Sequence, residues 1–357
     1  MIKTQPYPNF WQRIHNSAKN RGSPLRVMFE LTYGCNFHCK HCYIPESYKI
    51  ESKDELKTKE VFSILDQLKK IGCFYLGFTG GEPFLREDIF DILWHAKKNG
   101  FQVIIYTNGS LIDEDKAGEL RRIGLNKVDI TIPAMSEAAF ERISGVAGSH
   151  DKVFRAISLL SKHGIKLGFK TCVLEDNESE IKGIKNFAAS LGALHRLDTV
   201  LSARLDGSCE PYKYRGNYRK KLVTDNRLEI TDKDNCEDRG LTRTDSPEPI
   251  THNLFKCGAG VSQAAINPLG ELKMCVMIDY PKYNILDTSL RESWQKLKKL
   301  AEDITPDEEY KCVECRLQPY CKWCPAKAWL YNKNFTICEP ESRYWAEQRK
   351  RNYENRG

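Results

Sequence analysis

Between Arg26 and Ala203 the chain alternates short apolar runs with amphipathic ones, and no other feature limits the fold as much. RVMFELT (Arg26 to Thr32), FYLGFT (Phe74 to Thr79), FQVIIYT, KVDITI, IKLGFKTCV and LDTVLSA read as strands. KTKEVFSILDQLKKIG places Val61, Ile64, Leu65 and Leu68 on one helical face. Helices are also expected over Glu87 to Lys98, Asp113 to Ile123, Val153 to Lys162 and Ile181 to Leu191. Strands joined by amphipathic helices predict a parallel sheet with crossover connections. Six such units are fewer than the eight of a closed barrel. The fold class is therefore α/β, as an open partial barrel or a doubly wound sheet. Periodicity does not choose between them.

Residues 1–25 form a polar lead-in, and the alternation fills residues 26–205. Residues 206–252 are polar and rich in Asp, Arg and Lys, and read as a linker or wrapping segment. Residues 253–342 are short on helix signals and hold seven of the fourteen cysteines. They are expected to form a second domain whose fold depends on bound metal more than on a large apolar core. A basic tail, residues 343–357, closes the chain. The net charge of +7 is mild and fits a solvated surface better than a nucleic-acid partner. The N-terminus has no signal-peptide core, and no apolar run approaches the roughly 18 residues of a membrane span. The chain reads as cytoplasmic, where clustered cysteines bind metal more often than they form disulfides.

Cys35-x3-Cys39-x2-Cys42 directly follows the first strand, at the carboxyl end of the sheet, where ligand sites collect. Three thiolates suit a zinc ion completed by His38 or His41. They also suit a four-iron cluster with one iron left open. The next strand ends in FTGGEP, Thr79 to Pro83. Gly80 and Gly81 permit close approach of a ligand to the backbone, and Glu82 offers a carboxylate to a cationic group. Together these residues resemble the radical S-adenosylmethionine (SAM) enzymes, with C-x3-C-x2-C after the first strand and GGE after the second. The resemblance covers Arg26 to Ala203 and implies a partial (β/α)6 barrel. It implies that Cys35, Cys39 and Cys42 hold a [4Fe-4S] cluster whose open iron is chelated by S-adenosylmethionine. Gly80, Gly81 and Glu82 would hold the cofactor's amino group, and His41 would take the aromatic place beside adenine. Asn108 in YTNGS ends the third strand as in the family. Thr131 stands where a serine contacts ribose or carboxylate, and Ser144 stands where some members carry a carboxylate-binding arginine. The implied chemistry is one-electron cleavage of the sulfonium to a 5′-deoxyadenosyl radical, which removes hydrogen from an unactivated C–H bond.

The later cysteines run Cys257, Cys275, Cys312-x2-Cys315-x5-Cys321-x2-Cys324, then Cys338. Paired C-x2-C spacings alone would suit zinc ribbons. Their order resembles the SPASM domain of peptide and protein maturases. That resemblance implies two auxiliary iron–sulfur clusters. One would sit on Cys312, Cys315, Cys321 and Cys338; the other, nearer the active site, on Cys257, Cys275 and Cys324. Gln263 stands where some relatives add a fourth ligand. Cys73 and Cys172 read as core residues, and Cys209 and Cys236 as free thiols or, alternatively, an extra ligand. ARLDGSCEPYKYR (Ala203 to Arg215) resembles the segment after the last barrel strand of peptide maturases, where Arg204 would reach toward the cofactor. The first expectation is thus a maturase of a ribosomally made peptide, installing a thioether, a carbon–carbon crosslink or a similar bond. A separate leader-binding carrier protein, or the barrel itself, would recognise the peptide's leader, and an electron donor such as flavodoxin or ferredoxin would reduce the cluster. Alternatives are a formylglycine-forming sulfatase maturase, which Val276 after the second SPASM cysteine opposes, and a small-molecule enzyme. A zinc-stabilised scaffold would leave FTGGEP unexplained.

Overall fold

A computed structural model describes residues 22–50, 54–215, 254–255 and 257–354. Strand parity decides its layers. Val27, Phe29 and Leu31 of β1 (Arg26–Thr32) and Leu76 and Phe78 of β2 (Tyr75–Gly80) point to one buried face. Val103 and Ile105 of β3 (Gln102–Thr107), Val128 and Ile130 of β4 (Lys127–Thr131) and Phe169 of β5 (Leu167–Cys172) continue it. With β6 (Leu194–Asp198) these strands pair in parallel, in chain order. A short helix α1 (Glu46–Ile50) follows the cysteine loop. The crossover helices are α2 (Thr58–Lys70), α3 (Ile89–Lys98), α4 (Glu114–Ile123), α5 (Glu137–Ser144), α6 (Ser149–Lys162) and α7 (Ile181–Ser190). The four residues expected on one face of α2 are all fully buried.

The register aligns the other face across the sheet. Arg26 pairs with Tyr75, Tyr106 with Asp129, Thr131 with Lys170, and Lys170 with Arg196. This concave face is polar, so the apolar layer is one-sided and the lumen is lined by charge.

The last expected strand is displaced. β6 occupies Leu194–Asp198, not Leu197 to Ala203. A turn at Gly192, in the left-handed region at φ +61°, lets the strand begin almost directly after α7. Leu201 and Ala203 are buried all the same. Leu201 packs with Ile143 and Leu174, and Ala203 with Tyr33, Ile44, Leu205 and Leu330. Their hydrophobicity reports loop contacts, not a ladder.

The cysteine-rich region extends the barrel sheet. β7 (Gln263–Ile266) runs parallel to β1, and β8 (Glu271–Lys273) and β9 (Lys282–Asn284) follow antiparallel. The region also carries more helix than expected: α8 (Leu290–Asp303), α9 (Pro325–Asn332) and α10 (Pro340–Glu354). In α8, Leu290, Trp294, Leu297 and Ala301 form a buried stripe, and the Ser289 hydroxyl caps the Glu292 N–H at 3.3 Å. Lysines between those positions hide the stripe in the sequence. Leu272, Ile278, Ile285, Trp294 and Leu297 join the core beneath the barrel. This region therefore shares the apolar core of the barrel. The basic tail is largely the α10 helix. Most of the expected 206–252 segment lies outside the described residues.

Candidate active site

The loop leaving β1 places Cys35, Cys39 and Cys42 together, each partly buried and none in a disulfide. Each thiol lies within electrostatic reach of the others. Burial pushes Cys35 up to about 11 and raises Cys39 and Cys42 as well. The thiolate forms then need a cation to stabilise them. The loop is held to two neighbours. His38 N–H and Lys40 N–H donate to the Ser144 and Ile143 carbonyls at 2.8 and 3.1 Å. Asn36 Nδ2 donates to Ser110 Oγ at 2.9 Å, while Asn108 Nδ2 donates to Asn36 Oδ1 at 2.8 Å. Asn108 thus ties the thiol loop to the end of β3.

The two glycines of FTGGEP serve a closer approach than the expected one. Gly81 N–H donates to Thr32 O, and Glu82 N–H to Gly34 O, both at 2.8 Å. A Cβ on Gly80 would meet Thr32 O at 2.1 Å, and one on Gly81 would meet Gly34 O at 2.0 Å. The backbone that approaches is the thiol loop's own. Glu82 is likewise engaged within the protein. Fully buried, it accepts from Thr107 Oγ1 and Asn108 N–H at 2.7 Å each and from Phe84 N–H at 3.1 Å. Burial pushes its carboxyl up to about 7 despite these donors. The folded state therefore keeps a proton that the unfolded chain releases between about pH 4.5 and 7. The Glu82 contribution to stability is present at low pH and lost as pH rises through that window, by about 3 kcal/mol at most. Melting Glu82→Gln, a neutral isostere, beside wild type at pH 5 and pH 8 should show the larger fall for wild type. Parallel falls would contradict the assignment.

His41 is neutral at pH 7, since burial and then the Lys170 ammonium push it down to about 4. Its Nδ1 and the Nε of Arg204 are buried without a hydrogen-bond partner among the described residues. Arg204 lies within electrostatic reach of Cys42 and pairs with Glu210 at 2.9 Å. Three gathered thiols beside two orphaned polar atoms fit a cluster with a polar ligand on it. They fit a lone zinc poorly. His38 is turned out to Glu46 at 3.1 Å, and among the described residues no three Cys, His, Asp or Glu groups converge at single-ion spacing. Thr131 sits at the lumen end of β4. Ser144 is fully buried, its hydroxyl 2.8 Å from Ser149 Oγ. Its carbonyl positions the thiol loop while its side chain faces away.

Sequence reading missed three residues here. Lys49 is buried against the thiols, donating to Phe37 O at 3.1 Å and Glu46 Oε1 at 2.7 Å. Cys172 packs against the apolar cluster of Ile143, Leu174 and Leu201, and it also lies within electrostatic reach of Cys39 and Cys42. Its parity with Lys170 was the available signal. Glu30, fully buried, accepts from Tyr43 Oη at 2.6 Å and Lys273 Nζ at 3.3 Å. It thereby joins the thiol loop to the strand just before Cys275. Cys73, by contrast, is a core thiol donating to Leu25 O.

Residues 29–188 match the radical SAM superfamily. The chain carries a radical SAM domain. Over 357 aligned residues it is 26% identical to an AdoMet-dependent heme synthase of Oleidesulfovibrio alaskensis, covering 92% of each chain. It is 25% identical over 322 residues to the mycofactocin maturase MftC of Mycolicibacterium smegmatis, covering 88% of this chain and 80% of that one. Streptococcus suis SuiB bound to precursor peptide SuiA has the same fold, with a TM-score of 0.70 at 16% identity over 96% of this chain and 82% of that one. The radical SAM domain is an enzyme's, and it takes a [4Fe-4S] cluster and S-adenosylmethionine. The partial barrel is thus the form of the α/β fold.

Beyond the radical SAM domain seven cysteines gather in two sets. Cys312, Cys315, Cys321 and Cys338 lie within electrostatic reach of one another, and burial and then Cys338 push Cys312 up to about 11. Cys275 lies likewise with Cys324 and Cys257, and burial and then Cys324 push it up to about 12. Cys324 caps α9, whose first residue is Pro325. Gln263 Nε2 donates to Cys257 O at 2.6 Å. Cys209 is exposed at a turn, its thiol against Gly207 O, and Cys236 lies outside the described residues.

Proposed function

We propose that this enzyme abstracts hydrogen from a carboxylate-bearing tetrapyrrole. The observation that carries the reading is the charge of the lumen. Arg26, Lys127, Lys170, Arg196 and Lys273 share the concave face with Glu30, Asp129 and Asp198. Lys273 is paired with Glu30, and Lys127 and Arg196 both with Asp129, so the face keeps a net positive balance suited to a carboxylated substrate. Likeness to heme synthases along nearly the whole chain supports it. S-adenosylmethionine, when bound, supplies a 5′-deoxyadenosyl radical. Cys35, Cys39 and Cys42 hold the cluster, with Gly80, Gly81 and Glu82 fixing the loop that carries it. His41 offers a neutral ring, and Thr131 and Arg204 offer polar contacts to the cofactor. The apolar layer behind the sheet keeps water from that side. Cys312, Cys315, Cys321 and Cys338 hold one auxiliary cluster, and Cys257, Cys275 and Cys324 another.

A second reading, a peptide maturase with a leader-binding carrier and a flavodoxin or ferredoxin donor, is favoured by the likeness to MftC and the fold shared with SuiB. Formylglycine formation is disfavoured. Val276 stands where that base is expected, and Asp279 is bound by Trp329 Nε1 at 2.6 Å and paired with Lys333. The test is 5′-deoxyadenosine release and product mass, with coproporphyrin III and its iron complex in one arm. The other arm holds any short peptide encoded beside the gene. Turnover with a tetrapyrrole is expected. Turnover with the peptide alone overturns this reading in favour of the second.

A further inference from the structure

The lumen beside the thiols holds several cations, and nearly all are already engaged. Lys49 is bound to Glu46 and Phe37 O. Lys40 pairs with Asp176 at 2.8 Å and Arg204 with Glu210 at 2.9 Å. Arg196 pairs with Asp129 at 2.7 Å, and Lys327 Nζ donates to Val200 O at 2.7 Å. Lys170 differs. It has no hydrogen bond or ion pair among the described residues, and its side chain is exposed although it lies on the concave face of β5. Register sets it directly beside Thr131. His41, Cys172 and Asp198 surround it, and Cys172 in turn lies beside Cys39 and Cys42. An unpaired ammonium between a hydroxyl and an imidazole ring, next to three gathered thiols, is placed to take a carboxylate. The helix end expected to face the carboxylate presents Ser144 and not an arginine, and its hydroxyl is turned to Ser149.

We propose that Lys170 binds the carboxylate of S-adenosylmethionine. This rests on the cluster and cofactor assignment above. The cofactor's methionyl end carries an α-carboxylate, and a charge-assisted hydrogen bond from an ammonium holds it more strongly than a neutral donor would. The substrate's carboxylates are left to the remainder of the lumen.

The experiment uses the full chain, reconstituted without oxygen, and equilibrium dialysis. Wild type, Lys170→Met and Lys170→Arg are each titrated with S-adenosylmethionine and with decarboxylated S-adenosylmethionine. Lys170→Met should bind the cofactor about tenfold or more weakly. It should bind the decarboxylated analogue as wild type does, and Lys170→Arg should recover most of the loss. Because Lys170 is exposed and unpaired, Lys170→Met should keep the wild-type iron content and thermal midpoint. Equal binding of both ligands by Lys170→Met and wild type would overturn the proposal, leaving Lys170's anion to be the substrate's. An equal loss for both ligands would also overturn it, since the lysine would then shape the crevice without pairing the carboxylate. A wild-type protein that takes up no iron and binds no cofactor would overturn the assignment beneath it, an outcome distinct from either.

Discussion

Replacing Cys42 with alanine lowers the rate of S-adenosylmethionine cleavage by at least about a thousandfold. Cys42 is one of three thiols in a single loop, its N–H fixed to Cys39 O at 3.0 Å, and no fourth cysteine of the β1 loop can take its place. Cys172 lies close, but on β5, in a strand whose ladder holds it. The C-terminal sets, Cys257, Cys275 and Cys324 and the four around Cys312, are untouched by the change, so iron bound there should remain. Release of 5′-deoxyadenosine after dithionite reduction reads the rate. Cleavage near the wild-type rate would remove Cys42 from the cluster.

Gly81→Ala should damage the protein almost as severely, for a different reason. The new methyl would sit 2.0 Å from Gly34 O and 2.6 Å from Tyr33 O, backbone atoms that cannot swing aside. Relief requires parting the β2 end from the thiol loop, which breaks the Gly81–Thr32 and Glu82–Gly34 hydrogen bonds. It also strands the Glu82 carboxylate and its three donors. The loss of stability should be about 3 kcal/mol or more. The thiol loop should move with it, so cofactor cleavage falls even in protein that stays folded. Thermal midpoint and 5′-deoxyadenosine release measure the two parts. A wild-type midpoint would mean that the glycine serves a ligand and not the loop's own backbone.

These two variants mark how far the sequence could be read. β1 was legible to the residue, because its alternating apolar positions face one helix-covered layer. The thiol loop was legible because metal chemistry demands close spacing, and spacing survives in one dimension. The reason for the glycines was not. Their clash partners, Thr32 for Gly80 and Gly34 for Gly81, lie 48 and 47 positions earlier, and only parallel pairing of β1 and β2 brings them near. The nearness of Cys172 to the thiol loop was missed because the apolar residues around it in sequence face the opposite side of the strand. The displaced β6 and the unexpected α8 share one cause: burial in a loop cluster and burial under a sheet leave the same apolar signature. The junction of β7 with β1 could not be read at all. It depends on pairing between positions 26–29 and 263–266, across a polar stretch without periodicity. Lys170 was invisible for a further reason. A lysine in a strand reads as solvent-facing, and here the solvent it faces is the lumen.

Iron per chain tests the central claim most directly. Wild type and a variant with Cys35, Cys39 and Cys42 all changed to alanine are purified and reconstituted without oxygen, and iron and zinc are measured in both. Three four-iron clusters predict about twelve irons in wild type and about eight in the variant. Zinc in place of iron, or iron that does not fall when the three cysteines are removed, would contradict the account.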